Sequence, residues 1–433
     1  MARPQQGRMA WSERRIPRAV IAAAFLSCYL SWRPVSEVMF TLSDALLLVG
    51  LVQLTHERRL PSEPFHFLTP IWMGALTMVI LGLLVGSLIA PDPSRWPIVA
   101  GQYVFAWFVL PLILLSRGEA DTARMLKASV WGVFVMNLFG AIIYFTYKGT
   151  FVDARALLGQ DFLSGGRRLG AFAMDANWNG AVLAMAVPAV LYLRAKDLVG
   201  PLQAVVWFAV LFLGILLTAS FTAFVSCLFA LAVFAAISRL RIAPKRLAIG
   251  LGATTAAVAI LLTVNDGLFV PRVFMTRVGN ALTNGDISEA GTFEGRMALM
   301  REAWSMADRH LLVGLGADQF RTVSDEKAPV HNMYMLLWVE GGLISLGGWI
   351  AMQVVLFAAA IRAYSRDRIA SALTLSVSVT FVIASTASPH MYARLWSVPI
   401  LLALAASLNV VAQPRADRRG ARLATLLGSS AAA

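Results

Sequence analysis

Three short stretches of the sequence carry residues that can manage a negatively charged leaving group. The first, "SGGRRLGAFAMDANWNG" (residues 164–180), sets Arg167 and Arg168 between glycines. Glycine lets backbone come close to a ligand, and the planar, permanently charged guanidinium fork matches phosphate oxygens. Asp175, Asn177 and Asn179 follow, a pattern that a polar turn and helix cap also explain. The second stretch is "GTFEGRMALMREAWSMADRHLLVGLG" (residues 291–316), which reads as an amphipathic helix over about 293–312 with Thr292 as N-cap and Gly314 or Gly316 at its end. At 100° per residue, Phe293, Met297, Met300, Trp304 and Leu311 share one side, while Glu294, Arg301, Glu302, Asp308 and Arg309 gather on the other. Arg296 belongs to neither set. It projects beside Met300, Ala303 and Ala307, at the edge of the apolar face, where it points either into a bundle or to lipid headgroups.

The third stretch, "APVHNMYMLLWVEGG" (residues 328–342), places His331 at the threshold of an apolar helix and Glu340 well inside it. A helix N-terminus disfavours imidazolium, so the ring is expected neutral and able to accept a proton. Glu340 lies nine positions on, on roughly the opposite face, and is read as a hydrogen-bonding brace for its own helix. Metal chemistry has little to stand on: the outer loops hold no Asp-x-Asp pair, no His and Glu have ligand spacing, and Glu37 is a lone acid. Neither a P-loop nor a Gly-x-Ser-x-Gly elbow occurs.

The elements that must position these residues are membrane helices. The chain has 433 residues, 58% of them hydrophobic and 14% charged. A soluble domain is roughly 45–50% apolar and about 25% charged. Apolar runs recur along the whole length, at approximately 18–32, 38–54, 68–90, 97–116, 123–147, 178–193, 201–218, 221–238, 246–265, 333–361, 370–388 and 395–412. The expected fold class is therefore an all-α polytopic membrane protein, one bundle over residues 1–433 with about 12 transmembrane helices. Gly341–Gly342 and Gly347–Gly348 make a kink in the tenth span plausible. The two cysteines, Cys28 and Cys227, both fall in apolar runs and give no disulfide framework. The basic N-terminus leads into a first span with no evident cleavage site.

The net charge of +13 would suggest nucleic acid in a soluble protein. Here the cytoplasmic excess of Lys and Arg explains much of it, and no nucleic-acid partner is expected. With both termini inside, each short outer loop has at most one basic residue: Arg33, Arg95 or Arg394. The exceptions are two long outer loops, about 149–177 and 266–332, which hold the three stretches above. Long loops in a compact bundle are usually functional, and their basic surplus points to an anionic ligand.

The succession "RRLGAFAMDANWNGA", "EGRMALMREAW", "LLVGLGADQF", "HNMYMLLWVEGGL" resembles the O-antigen ligase and O-antigen polymerase superfamily of bacterial envelopes. The likeness runs over roughly 167–345; "DANWN" stands where relatives tend to have Asn-Pro-Asn. The resemblance implies a C-type membrane glycosyltransferase (GT-C) fold with a large helical periplasmic loop, in the bacterial inner membrane, with both termini cytoplasmic. It implies a metal-independent enzyme without cofactor that takes a glycan from undecaprenyl diphosphate, the ligases passing it to lipid A–core. Arg168, Arg296 and His331 take the catalytic positions, Arg168 being preferred to Arg167 because it stands two residues before Gly170. Arg167, Arg301, Asn332 and Tyr334 are assigned to substrate contact. The partners implied are the lipid-linked glycan, the lipid A–core acceptor and membrane lipids.

A polymerase or a protein O-oligosaccharyltransferase would use the same chemistry on another acceptor. A transporter or flippase for an anionic lipid or solute is a different class, and favours charges near the bilayer midplane. The unusual charges here sit in loops, which favours a reaction at the membrane surface.

Overall fold

Length decides which apolar stretches can cross a bilayer. The computed structural model describes residues 15–31, 40–239, 271–285, 293–309 and 311–412. Among these, nine helices are long and apolar enough to span. They are α3 (His66–Ile89, opening with a 3₁₀ turn), α4 (Arg95–Leu114, with a π-helical turn at Phe105–Val109), α5 (Glu119–Thr146), α7 (Ala176–Ala195), α8 (Pro201–Thr218), α9 (Phe221–Ser238), α13 (Met333–Tyr364), α14 (Arg368–Ser385) and α15 (Arg394–Ala412). The chain is an all-α, multi-pass membrane protein.

The first two expected spans are shorter than the sequence suggests. Helix α1 (Arg18–Leu26) has nine residues, and the chain then turns, with the Tyr29 hydroxyl donating to Gly132 O and Ser31 N to Phe172 O. Helix α2 (Leu42–His56) has 15 residues because a capping box of Thr41 and Asp44 sets its start. Fifteen residues rise about 22 Å, short of a hydrocarbon core about 30 Å thick. The apolar stretches run on through residues 27–31 and 40–41, which are not helical. The span expected at 246–265, the cap expected at Thr292 and the lone acid Glu37 lie outside the described residues.

Among the described residues, four smaller helices and a hairpin occupy the end of the bundle where α3, α5, α8 and α14 finish. Helix α6 (Phe151–Leu158) precedes the hairpin of β1 (Leu163–Ser164) and β2 (Arg168–Leu169). Helix α10 (residues 272–284) carries a π-helical turn at Met275–Gly279. Its Phe274 and Val278 bury against Leu216 and Ala219, the junction of α8 and α9. Helix α11 (Phe293–Arg309) lies against α13, and α12 (Phe320–Val323) is a single turn.

Helix α11 does not present the face its apolar residues suggested. Leu299, Ala303 and Ala307 are buried and Arg296 is half-buried, while Phe293, Trp304 and Leu311 are exposed. The stripe 296–299–303–307 has helical spacing, and its two alanines let α11 come close to α13. Periodicity alone favours large apolar residues for the buried face, whereas the close backbone approach of α11 to α13 selects small ones. Trp304 still touches protein, edge-on to Trp338 of α13 at 5.0 Å between ring centroids.

The kink in α13 falls at Gly342, with φ 67° and ψ −174°. Glycine is required there twice over: a Cβ would meet Leu312 O at 2.1 Å, and the backbone is left-handed. Residues 311–316 run past the break. Leu315 N donates to Val339 O (2.8 Å), Gly316 N to Glu340 O (2.8 Å), and Leu343 N to Leu311 O (2.9 Å). A spanning helix can open only where other protein satisfies its backbone, and here this stretch does so.

Candidate functional site

A cavity of about 230 Å³ opens between α7, α9, α10, α11 and the loops after α14 and before α13. Arg277, Arg296 and His331 line it together with Asn177, Ser220, Thr222 and Thr386; Met297, Met300, Phe293 and Phe221 supply its apolar wall. Residues more than 150 positions apart in sequence thus meet in one space.

Each side chain is delivered by a local device. Asn332, not His331, caps α13: its Oδ1 accepts from Tyr334 N (3.0 Å) and Met335 N (3.1 Å). His331 is therefore held one residue ahead of the cap, off the helix axis, facing the cavity. Asp175 caps α7, its Oδ1 accepting from Asn177 N (2.7 Å) and Trp178 N (2.9 Å). That cap fixes Asn177 at the cavity wall. Arg168 stands behind it. The guanidinium donates from one terminal nitrogen to Asn177 Oδ1 (2.7 Å) and from Nε to Thr218 O (2.9 Å), at the C-terminal end of α8. A reciprocal amide pair, Asn137 with Asn179, adds a bond from Asn179 Nδ2 to Leu169 O (3.2 Å), tethering β2 to α5 and α7.

The site is strongly electropositive. Burial, then Arg277 and Arg296, bring the Arg168 guanidinium down to about 10, with Asp175 pulling the other way. Burial likewise lowers Arg296 and Arg277, and Arg296 adds to the effect on Arg277. All three stay charged near neutrality. His331 is shifted below the usual imidazole value, by burial first and Arg296 second, against an opposing pull from Asp175. The direction is the one expected from the helix terminus, and burial and Arg296 are its causes here. Among the described residues, neither the Arg296 guanidinium nor the His331 ring has a hydrogen-bond partner. Three fixed cations around a polar cavity suit an anion with several oxygens, and a neutral imidazole beside them can take up a proton.

The other residues singled out in the sequence sit elsewhere. Arg167 has φ 57° and donates to Tyr144 O (2.7 Å) and Tyr147 O (2.6 Å), closing the end of α5. Tyr334 donates its hydroxyl to Gln353 Oε1 (2.9 Å) within the bundle. Arg301 is exposed on the outer side of α11. Glu340 is buried and accepts from Asp318 N (3.0 Å) and Phe320 N (3.2 Å), so it braces the loop after α11, not its own helix. Arg277 was missed. Nothing near it in sequence marks it, and its place depends on α10 packing against the α8–α9 junction. Among the described residues, no group of three or more His, Cys, Asp or Glu could hold a metal ion.

Fold and site together define a polytopic membrane protein with a cationic cavity at one end of the bundle. Residues 204–350 match the family described as O-antigen ligase, and over this stretch the chain carries that family's domain. The match begins in α8 and ends in α13, so it takes in Arg277, Arg296 and His331 but not Arg168, Asp175 or Asn177. No curated protein matches the chain.

Proposed function

We infer that the protein is an inverting, metal-independent glycosyltransferase that moves a glycan from undecaprenyl diphosphate onto a sugar hydroxyl of lipid A–core, at the periplasmic face of the inner membrane. The observation that carries this reading is the convergence of Arg277, Arg296 and His331 on one cavity inside an O-antigen ligase family domain. The anomeric carbon of such a donor leaves a diphosphate. Negative charge grows on that group in the transition state, where preorganised guanidinium groups act most strongly. Arg296 and Arg277 face the cavity and neutralise it directly. Arg168 adds its charge from behind Asn177 and fixes the wall. The acceptor hydroxyl attacks the anomeric carbon as the carbon–oxygen bond to diphosphate breaks, and its proton passes to neutral His331. Met297, Met300 and Phe221 offer apolar contact at the cavity's edge, where a polyprenyl chain would enter.

The test is transfer by purified protein supplied with undecaprenyl-diphosphate-linked glycan and lipid A–core, with and without EDTA. Product in both arms is expected. Loss in EDTA, restored by Mg²⁺ or Mn²⁺, contradicts the arginine scheme. Extension of the donor glycan or transfer to a protein, without transfer to lipid A–core, assigns the same cavity to polymerase or protein oligosaccharyltransferase work.

A further inference from the structure

His331 belongs to no regular element, so its place depends on what anchors the residues that follow it. Asn332 caps the front section of α13, Met333–Gly341, and the break at Gly342 separates that section from the rear one, Leu343–Tyr364. The two sections do not run on in one line. The Tyr334 hydroxyl donates to Gln353 Oε1 at 2.9 Å, across 19 positions of sequence. A straight helix would set those two residues about 28 Å apart, more than their side chains can bridge. The front section therefore folds back along the rear one, which at about 33 Å is still long enough to span. Gln353 is an expensive residue for this place. It is buried in the spanning section, and its Nε2 has no hydrogen-bond partner. An unanswered amide N–H costs free energy that an apolar side chain would avoid, so stability alone does not account for it.

We propose that the hydrogen bond from Tyr334 to Gln353 is the tether that fixes His331 in the cavity, which makes both of them positioning residues for the transfer. This rests on the reading of the reaction given above. The front section is anchored at both ends. At the end beside the break, Leu315 N and Gly316 N close Val339 O and Glu340 O, and the Glu340 carboxylate holds Asp318 N and Phe320 N. Those bonds are remote from His331. At the near end, Asn332 Oδ1 accepts from Tyr334 N and Met335 N, which ties the cap to its own helix and not to the bundle. The bundle takes hold of this end through the Tyr334 hydroxyl on Gln353, with Ser385 of α14 beside it. Met333 packs next to it, its sulfur 3.9 Å from the Tyr103 hydroxyl of α4. Tyr334 is less than one helical turn from His331, so movement at its ring is passed to the imidazole. A proton acceptor misplaced by about 1 Å can cost about 100-fold in rate. His331 lines the cavity, whereas Tyr334 and Gln353 lie outside it and act through His331.

Tyr334→Phe tests this, because it deletes the hydroxyl and keeps the ring. Turnover at saturating undecaprenyl-diphosphate glycan should fall about 10–100-fold, with the donor KM changed by less than about twofold. A readout independent of activity is the rate of His331 modification by diethyl pyrocarbonate, followed by peptide mass, which should rise severalfold as the ring leaves its half-buried place. The double variant, Tyr334→Phe with Gln353→Leu, separates positioning from packing. Exchanging both partners for apolar groups removes the unanswered polar atoms, so its thermal midpoint should return to that of wild type or exceed it. Its turnover should stay low and its His331 modification fast. If turnover recovers together with the midpoint, the pair is packing and this proposal is wrong. If wild type transfers glycan and Tyr334→Phe matches it in turnover and in His331 modification, this proposal is wrong and the reaction reading stands. A raised donor KM at unchanged turnover also overturns it. No transfer by wild type to any acceptor overturns both readings.

Discussion

Two charged regions sit at the same end of the bundle and are built on opposite plans. Around Asp318 every charge is spent on protein. Arg95 donates from Nε to Asp318 Oδ2 (2.7 Å), Arg321 pairs with Oδ1 (2.8 Å), and Glu340 holds two backbone amides of the same turn. Ala317 N donates to Ser87 Oγ (2.9 Å), and Gln319 Nε2 donates to Asp92 O (2.9 Å). In the cavity, Arg277 and Arg296 line the wall with no carboxylate among the lining residues, and Arg296 and His331 have no hydrogen-bond partner among the described residues. Matched charges fasten a loop; surplus cation leaves room for a ligand. The same residue types serve both ends, so type alone could not tell them apart.

The contrast breaks most readily at Arg296. Arg296→Ala should remove nearly all transfer, roughly 10³-fold, with little change in thermal midpoint, and Arg296→Lys should recover little because a point charge lacks the fork. Should Arg296→Ala lower the midpoint as much as the rate, Arg296 belongs with the fastening charges. Arg168→Ala should damage both properties, since its bonds to Thr218 O and Asn177 hold the wall itself. His331→Ala comes next: turnover down about 10²–10⁴-fold, with donor binding preserved. The wild-type profile should lose activity on the acid side as the imidazole protonates, at a pH below its usual value near 6.5, because burial and Arg296 both disfavour the charged ring. A limb at or above that value would contradict the burial argument. Glu340→Gln sharpens the other side. An amide can accept only one of the two backbone bonds, leaving a buried N–H unanswered at a cost of about 1–3 kcal/mol, read as a lower thermal midpoint. Transfer per folded molecule should change less than in any cavity variant. Arg301→Ala, exposed on α11, should be within about 0.5 kcal/mol of wild type in stability and near it in rate.

What the sequence could convey follows the same division. Spans such as α5, α8 and α13 were legible because composition over a long run fixes them. The loops that carry the site stood out by their basic residues. Arg296 could be picked because it broke the helical pattern, and His331 because it stood at a boundary. Residue type does not separate Arg167 from Arg168, and only the family resemblance, through the distance to Gly170, favoured Arg168; their opposite facing depends on the left-handed backbone at Arg167 and the hairpin register. Arg277 was hidden because α10 owes its position to contacts with α8 and α9, remote in sequence. The partner of Glu340 was hidden for the same reason, since the loop it holds returns from the far side of α11.

The break at Gly342 also constrains how the molecule can be made. Val339 O and Glu340 O would ordinarily be closed by amides of the following turn; here Leu315 N and Gly316 N close them, and Leu343 N finds Leu311 O. Helix α13 therefore cannot settle in lipid as an independent rod, for it would carry unanswered polar groups into hydrocarbon. Its completion waits on residues 311–316, which leave the ribosome earlier and must already be in place beside α3. Maturation of this span is thus an assembly step rather than a partitioning step, and a chain with a misplaced loop would be left with an unfinished helix exposed to the cell's membrane proteases.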